Sequence, residues 1–528
     1  MNQIPLTTTI EGESNSPKLV KFNKNLISSS KELYSRPAFV EVAKYADVVN
    51  GVDSYYANAN LNIAITTMFE FFGSLYTVYS GELYSIDTFN GTATSTLSIP
   101  NTAFLFSASR PQSGYNGKVV IPRYELDLFS LTATPITLPS SNPQSDVIRV
   151  SNRYVFLSDD VMYFSDVNNA TSIQPLSFFD AETYTDRTVR IARYKDDLIA
   201  FGENSIERFS ATSSVTTPFR RIKAATSAVG YVGGLTSFEN DLFFVGRDTD
   251  GSIKIFSYGN SGAVPISSPE IDGLLNSGDG GYNIPSSKVS QNGESFIWNG
   301  NKSLIFNFSE FCLLCTFTSS GLSWSFIEAA YEPVVGANIN SSNSVFEFKD
   351  FTTMSDGRIF CHDRYGVYEL KDLPQDVVSD VRAPRSNNIT PPVEGDDTKS
   401  VYIEAYSQTY IRDPSESYIF PSKIEVNFAD RGIKPQPFPI RDRGESFGED
   451  SPVYVEPTQI TSSEDQKIWL ETSKNGIDWT DKLYYSLDDT GVGVFNPLGG
   501  LGRYKGYMGL RIGFDNISTI TIDNITYR

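Results

Sequence analysis

DLIAFGENSIERFS, residues 197–210, holds two short apolar-rich runs parted by Gly202, Glu203, Asn204 and Ser205, the form of a β-hairpin. The form recurs in SLYTVYSGELYSID (74–87), KVVIPRYELDLFS (118–130) and YVFLSDDVMYFS (154–165). It returns in DLFFVGRDTDGSIKIFSY (241–258), ESFIWNGNKSLIFNF (294–308) and RIFCHDRYGVYEL (358–370). Ser80-Gly81, Glu203-Asn204, Asp250-Gly251, Asn299-Gly300 and Tyr365-Gly366 fall between the paired runs and tolerate the positive φ of tight turns. A hairpin repeated at roughly 40–50 residues reads as propeller blades, small antiparallel sheets that bury their faces only by stacking around a ring. The spacing predicts six or seven blades over 49–371, with each hairpin read as the inner strand pair. Longer intervals toward the end mark insertions such as SGDGGYN (277–283).

Outside this repeat the chain changes character. Residues 1–48 are expected to form an extended arm. DLPQDVVSDVRAPRSNNITPPVEGDDTKS (372–400) is rich in Pro, Asp and Ser and reads as a linker or long loop. Strands resume over 401–528 without the blade period: VYIEAY, SKIEVNF, KIWLET, KLYYSL, GLRIGF and STITIDNITY, as expected of a β-sandwich. The Pro- and acid-rich stretch 433–466 reads as a long loop within it. The predicted class is all-β: a propeller, a C-terminal sandwich and an N-terminal arm.

Composition removes several function classes. The 528 residues include 36 Phe and 29 Tyr, ample for packed cores. Lys and Arg total 43 against 63 Asp and Glu, a net charge of −20, so a general grip on nucleic-acid phosphates is not expected. With 3 Cys and 1 His, thiolate or imidazole metal sites lack ligands, and any Ser-His-Asp triad would have to use His362. The opening MNQIPLTTTIEGESNSPKLVKFNK has no apolar signal region, and no run approaches a membrane span, so a cytoplasmically made protein without a membrane anchor is expected. The sequons at Asn169, Asn301, Asn388 and Asn524 are read as chance in an Asn- and Ser-rich chain.

Four features bear on possible chemistry. Cys312 and Cys315 form CxxC, but i and i+3 on a strand face opposite sides, so both are read as core residues. Asp248 and Asp250 open a run like a calcium loop that lacks its closing acid, and a hairpin turn is preferred. SKNGIDWT (473–480) resembles an Asp-box turn with Trp479 beneath it, read as structural. His362, beside Cys361 in a predicted strand, is read as an ordinary blade residue. A glycosidase or sialidase would need paired carboxylates, with an Arg cluster for the latter, and neither can be placed from sequence. No catalytic, cofactor-binding or metal residues are assigned.

Segment order adds a resemblance. FNKNLISSSKELYSRPAFVEVAKY (22–45), YKDDLIAFGENSIERFS (194–210) and IKIFSYGNSGAVPISSPEIDGLLNS (253–277) carry it, with ETSKNGIDWTDKL (471–483) and LGRYKGYMGLRIGFDNISTITIDNITYR (501–528). In this order they resemble the tail hub or nozzle family of short-tailed phages, the packaged-DNA stabilisation proteins. Ala38 follows Pro37 where that family often has Gly.

The resemblance implies a structural virion protein without enzymatic residues: a homohexameric ring below the head-to-tail adaptor. It would meet the tail needle, fibres or tailspikes, continue the DNA channel and help retain packaged DNA until ejection. Duplex DNA would pass without tight binding, along channel loops where carboxylates outnumber Lys and Arg. The rival expectations are a carbohydrate- or receptor-binding propeller and a WD-type scaffold, whose repeated Gly-His motif a single His excludes.

Overall fold

The computed structural model describes residues 2–44, 67–99, 110–276, 289–327, 350–379, 398–430 and 467–527, apart from short gaps within these spans. Among the described residues β-strand dominates, with a single α-helix at Pro269–Asn276. Six four-stranded antiparallel meanders follow one another. Blade 1 runs from Thr67–Phe71 to Thr92–Ser98, blade 2 from Gln112–Ser113 to Thr132–Pro135, and blade 3 from Gln144–Val150 to Phe178–Asp180. Blade 4 runs from Thr188–Tyr194 to Phe219–Arg221, blade 5 from Gly230–Phe238 to Gly262–Pro265, and blade 6 from Glu294–Trp298 to Gly321–Ile327. A composite closing blade joins Asp350–Thr353, Ile359–His362 and Gly366–Lys371 to Ala38–Lys44 from the N-terminal region. Its first strand lies against the first strand of blade 1, completing a propeller.

The hairpins legible in the sequence are the second and third strands of each blade, except in blade 6, where they are the first and second. The expectation of an inner pair is corrected for a physical reason. Middle strands are covered on both faces by adjacent blades, so they read as continuous apolar runs. Arg153–Ser158 is buried at every position, whereas the first strands of several blades begin with polar residues around the axis. Between blades the packing is aromatic: Phe201 of blade 4 has its ring centroid 5.2 Å from Phe244 and 5.3 Å from Tyr231, both in blade 5.

Two further sheets face one another beside the propeller. One contains Leu26–Ser28, Leu33–Ser35, Ile520–Tyr527, Ile424–Asp430 and Val492–Phe495, with Asn2–Ile4 added along Ile520–Tyr527. The other contains Ser16–Lys24, Ala405–Arg412, Tyr507–Phe514, Lys467–Ser473 and Leu483–Ser486. Met508, Leu510 and Ile512 alternate inward, as do Ile468 and Leu470, and they pack with Leu26, Leu33, Ile424, Val426 and Ile525 of the opposing sheet.

The N-terminal arm is extended, but it is woven into both units rather than free. Ser16–Lys24 bridges Ala405–Arg412 and the last strand of blade 6, so hydrogen bonding runs unbroken from propeller to sandwich. At this junction Asn25, with φ 56°, donates its N–H to Phe326 (2.7 Å), while the buried Arg36 donates to the Asn25 side chain (3.1 Å) and stacks on Phe39. Within the segment read as a linker, Asp376–Ser379 and Thr398–Val401 pair with each other. The remainder of that segment (372–375 and 380–397), the SGDGGYN insertion and the 433–466 stretch lie outside the described residues.

Candidate functional site at the propeller axis

The first strands of the blades begin around the axis, and there the structure gathers charges far apart in sequence. Asp146 lies near the start of the first strand of blade 3. One carboxylate oxygen accepts the N–H of Val147 (2.8 Å), and the other accepts the N–H of Ile191 in blade 4 (2.8 Å). Asp350 opens the closing blade and repeats the device, accepting from Phe351 (2.9 Å) and from Met68 in blade 1 (3.3 Å). Each carboxylate therefore ties its own strand to the next blade through a backbone donor that a sheet ladder does not satisfy.

Each aspartate also has an arginine. Arg190 of blade 4 lies 3.5 Å from Asp146 and donates to the Asn292 side chain (2.8 Å), just ahead of blade 6. Arg110, just ahead of blade 2, reaches across the ring. It donates to the carbonyls of Gly293 (2.7 Å) and Phe351 (3.1 Å), pairs with Glu294 of blade 6, and lies 3.9 Å from Asp350. Burial pushes the Asp350 carboxyl up to about 6, against the pull of Arg110 and the Met68 N–H, with the like charge of Glu294 adding to the rise. Burial disfavours the charge on Arg110, but Glu294 and Asp350 outweigh it and raise its pKa. The Tyr231 hydroxyl, raised by burial, donates to the Gln291 carbonyl (2.8 Å) beside this cluster. Arginine and carboxylates are spent on backbone groups and on one another, and their chemistry is that of a clasp across the axis.

The residues singled out from sequence fall elsewhere or play other parts. Cys312 and Cys315 are both buried free thiols, and they sit in different hydrophobic clusters on opposite faces of one strand, as the spacing predicts. Burial raises both thiols well above their ordinary range. His362 is buried and stands directly opposite Asp350 in the ladder of the closing blade.

Asp248 and Asp250 form a hairpin turn closed by Gly251 at φ 87°. Asp248 pairs with Lys254 (2.5 Å), and Asp250 accepts the N–H (2.8 Å) and hydroxyl (2.5 Å) of Ser252. Those bonds hold both carboxyls below their ordinary values. No metal-ligand cluster occurs among the described residues. Trp479 bridges back to Ser473, and the Arg511 guanidinium lies 4.0 Å over its ring. Asn169 bonds Thr171 within a turn, and Asn301 donates to the Tyr34 hydroxyl (3.0 Å). Arg110, Asp146, Arg190, Glu294 and Asp350 carried no sequence signal, because only ring closure brings them together.

The family model described as the β-propeller of bacteriophage P22 Gp10 matches residues 44–333. The tail hub protein gp10 of Salmonella phage P22 is 23% identical over 266 residues, 48% of this chain and 53% of that protein. The chain thus spans about half the length of that relative. Two solved structures align at low similarity. One is the extracellular domain of the putative hybrid two-component system BT4673 of B. thetaiotaomicron (TM-score 0.37, 8% identity, 71% of this chain and 45% of that one). The other is dihydro-heme d1 dehydrogenase NirN in complex with DHE (TM-score 0.36, 10% identity, 57% of this chain and 72% of that one).

Proposed function

The chain belongs to the phage-stabilisation family typified by the P22 Gp10 β-propeller, and from that premise we propose that it forms a nozzle-like ring in a phage tail. In this reading several copies surround a DNA passage below the head-to-tail adaptor and help retain the packaged genome until ejection. The observation that carries it is the axial clasp. Arg110 spans from blade 2 to blade 6 and the closing blade, so a duplex cannot thread a single propeller. Any DNA passage must lie between copies, which requires a ring, and six copies is the number we propose. The needle, fibres or tailspikes would attach to that ring, and the channel wall would be acidic or neutral, letting DNA slide without phosphate contacts.

We read the protein as non-enzymatic, because the buried carboxylates near the axis serve the fold. No helix among the described residues is long and apolar enough to cross a membrane. The test is a phage lacking this gene product, complemented with the intact chain. Particles without it should package DNA and then lose it, and purified rings should show six-fold symmetry by negative-stain microscopy. Its absence from purified virions, or a monomer that binds a glycan array, would replace the hub with a carbohydrate- or receptor-binding propeller.

A further inference from the structure

The propeller and the sandwich are held together by more than a linker. Leu26–Ser28 and Leu33–Ser35 pair as two short antiparallel strands in which Ile27 stands opposite Tyr34. Side chains alternate across a strand, so this hairpin presents two apolar faces. Leu26 and Leu33 enter the sandwich core beside Ile424, Val426, Leu470 and Ile525. Ile27 and Tyr34 enter a different cluster, with Phe296, Ile305 and Leu314 of blade 6 and Phe351, Ile359 and Tyr368 of the closing blade. The Tyr34 hydroxyl also accepts a hydrogen bond from the Asn301 side chain of blade 6 (3.0 Å). All four apolar residues of the hairpin are buried, none exposed by more than 4%.

The chain crosses between the units at both ends of this hairpin, and one buried pair fixes both crossings. Asn25 stands where the chain leaves Ser16–Lys24, and its N–H donates to the Phe326 carbonyl of blade 6 (2.7 Å). Arg36 stands where the chain leaves the hairpin for the closing blade. Its N–H donates to the Asn25 carbonyl (2.9 Å), its Nε to Asn25 Oδ1 (3.1 Å) and its Nη1 to the Pro37 carbonyl (2.6 Å). The guanidinium lies over the Phe39 ring, which belongs to the same cluster as Ile27 and Tyr34. Asn25 and Arg36 are both buried, so water is not at hand to replace these bonds.

Two units tied by a single stretch of chain move relative to one another by default. Here a swing would break the ladder through Ser16–Lys24 and strip the Asn25–Arg36 bonds in a dry site. It would also draw Ile27 and Tyr34 out of one packed cluster, or Leu26 and Leu33 out of the other. Close-packed cores offer no continuous series of intermediate positions, so the joint either holds or comes apart.

We infer that the hairpin locks the propeller and the sandwich into one rigid lever, with Arg36 acting through Asn25 as a positioning residue. A hub built from such copies changes the width of its DNA passage by turning whole copies against one another, not by bending within a copy. That consequence rests on the hub reading above, whereas the lock rests on the geometry of the single chain.

The test is pulsed electron spin resonance on the full chain, spin-labelled through Val264→Cys in blade 5 and Tyr484→Cys in the sandwich, both exposed positions. The chain's own Cys312, Cys315 and Cys361 are buried and escape the label under native conditions. The distance between labels should form one narrow peak in the isolated chain. The peak should stay in place when labelled copies, diluted with unlabelled ones, are assembled into DNA-filled particles, and again after ejection. An Ile27→Ser, Tyr34→Ser chain should broaden the peak by about twofold, as a freed inter-domain joint does. If that chain does not fold, Arg36→Gln is read in its place, with the same broadening expected. A broad or double peak in the parent, a shift between filled and emptied particles, or a variant peak as narrow as the parent's overturns the proposal. A narrow parent peak in a chain that never enters particles upholds the lock and overturns the hub reading, and with it the consequence for the passage.

Discussion

The propeller and the sandwich are both antiparallel, yet they are joined in opposite ways. A blade pairs neighbours in sequence: Val155 faces Phe164, and Leu198 faces Phe209. The sandwich pairs the ends of the chain: Asn2 faces Tyr527, and Phe22 faces Gln408. Local pairing closes short loops at small entropic cost, whereas the sandwich must bring distant segments together before any contact rewards it. The propeller is thus an assembly of locally paired sheets that stack on their neighbours, with one composite closure, and the sandwich exists only once both termini arrive. That contrast makes the N-terminal strands the point of greatest leverage in the molecule.

The largest expected effect is therefore a truncation. Deleting residues 1–35 removes Ser16–Lys24, Leu26–Ser28 and Leu33–Ser35, and with them the core residues Leu26 and Leu33. Calorimetry should lose the sandwich transition and keep the propeller transition, because Ala38–Lys44 still closes the ring. Deleting 1–44 should cost both. Two intact transitions after the shorter deletion would show that the N-terminal strands are accessory.

Single core substitutions sharpen the same contrast. Phe201→Ala removes a ring packed between blades 4 and 5 and should cost about 3–5 kcal/mol, read in the propeller transition. Leu510→Ala should cost about 2–5 kcal/mol, read in the sandwich transition. If both variants shifted one common transition, the two units would unfold as a single cooperative body.

The axial clasp should give the propeller a pH dependence that the sandwich lacks. The Asp350 carboxyl titrates near 6 in the fold, above its ordinary 3.8, so the folded state holds that proton more tightly than the unfolded chain. Stability from this group is therefore greatest below about pH 4 and falls as pH rises through 6, by about 3 kcal/mol in all. Urea unfolding at pH 5 and pH 8 should show about half of that loss, roughly 1.4 kcal/mol, and Asp350→Asn should flatten it. An unchanged slope in that variant would assign the dependence to other groups.

The smallest effect is expected at the Asp248–Asp250 turn, whose oxygens are taken by Ser252, Thr249 and Lys254. Adding calcium or a chelator should move the propeller melting temperature by less than about 1 °C. A larger calcium-dependent rise that Asp250→Asn abolished would reveal a cation site.

How much was legible follows from these particulars. The second and third strands of the blades were visible because burial on both faces makes each an apolar run, with a short turn between. The opposed burial of Cys312 and Cys315 was visible because strand geometry alternates side chains whatever surrounds them. The clasp was not, since Arg110 and Glu294, or Asp146 and Arg190, share no spacing that local geometry imposes. The exposed Phe72 was equally silent, because an aromatic after an apolar strand reads as one more core residue.

By itself, then, the sequence determined the all-β class, the hairpin repeat and a fold poor in metal and imidazole chemistry, since periodicity, turn residues and composition act over a few residues at a time. Tertiary structure alone decided that the N-terminal region closes the propeller and cores the sandwich, that charges from four blades and the approach to blade 2 meet at the axis, and that Phe72 and Phe129 stay exposed. Those outcomes depend on where a closed ring places distant strands, a long-range constraint that no local pattern of residues encodes.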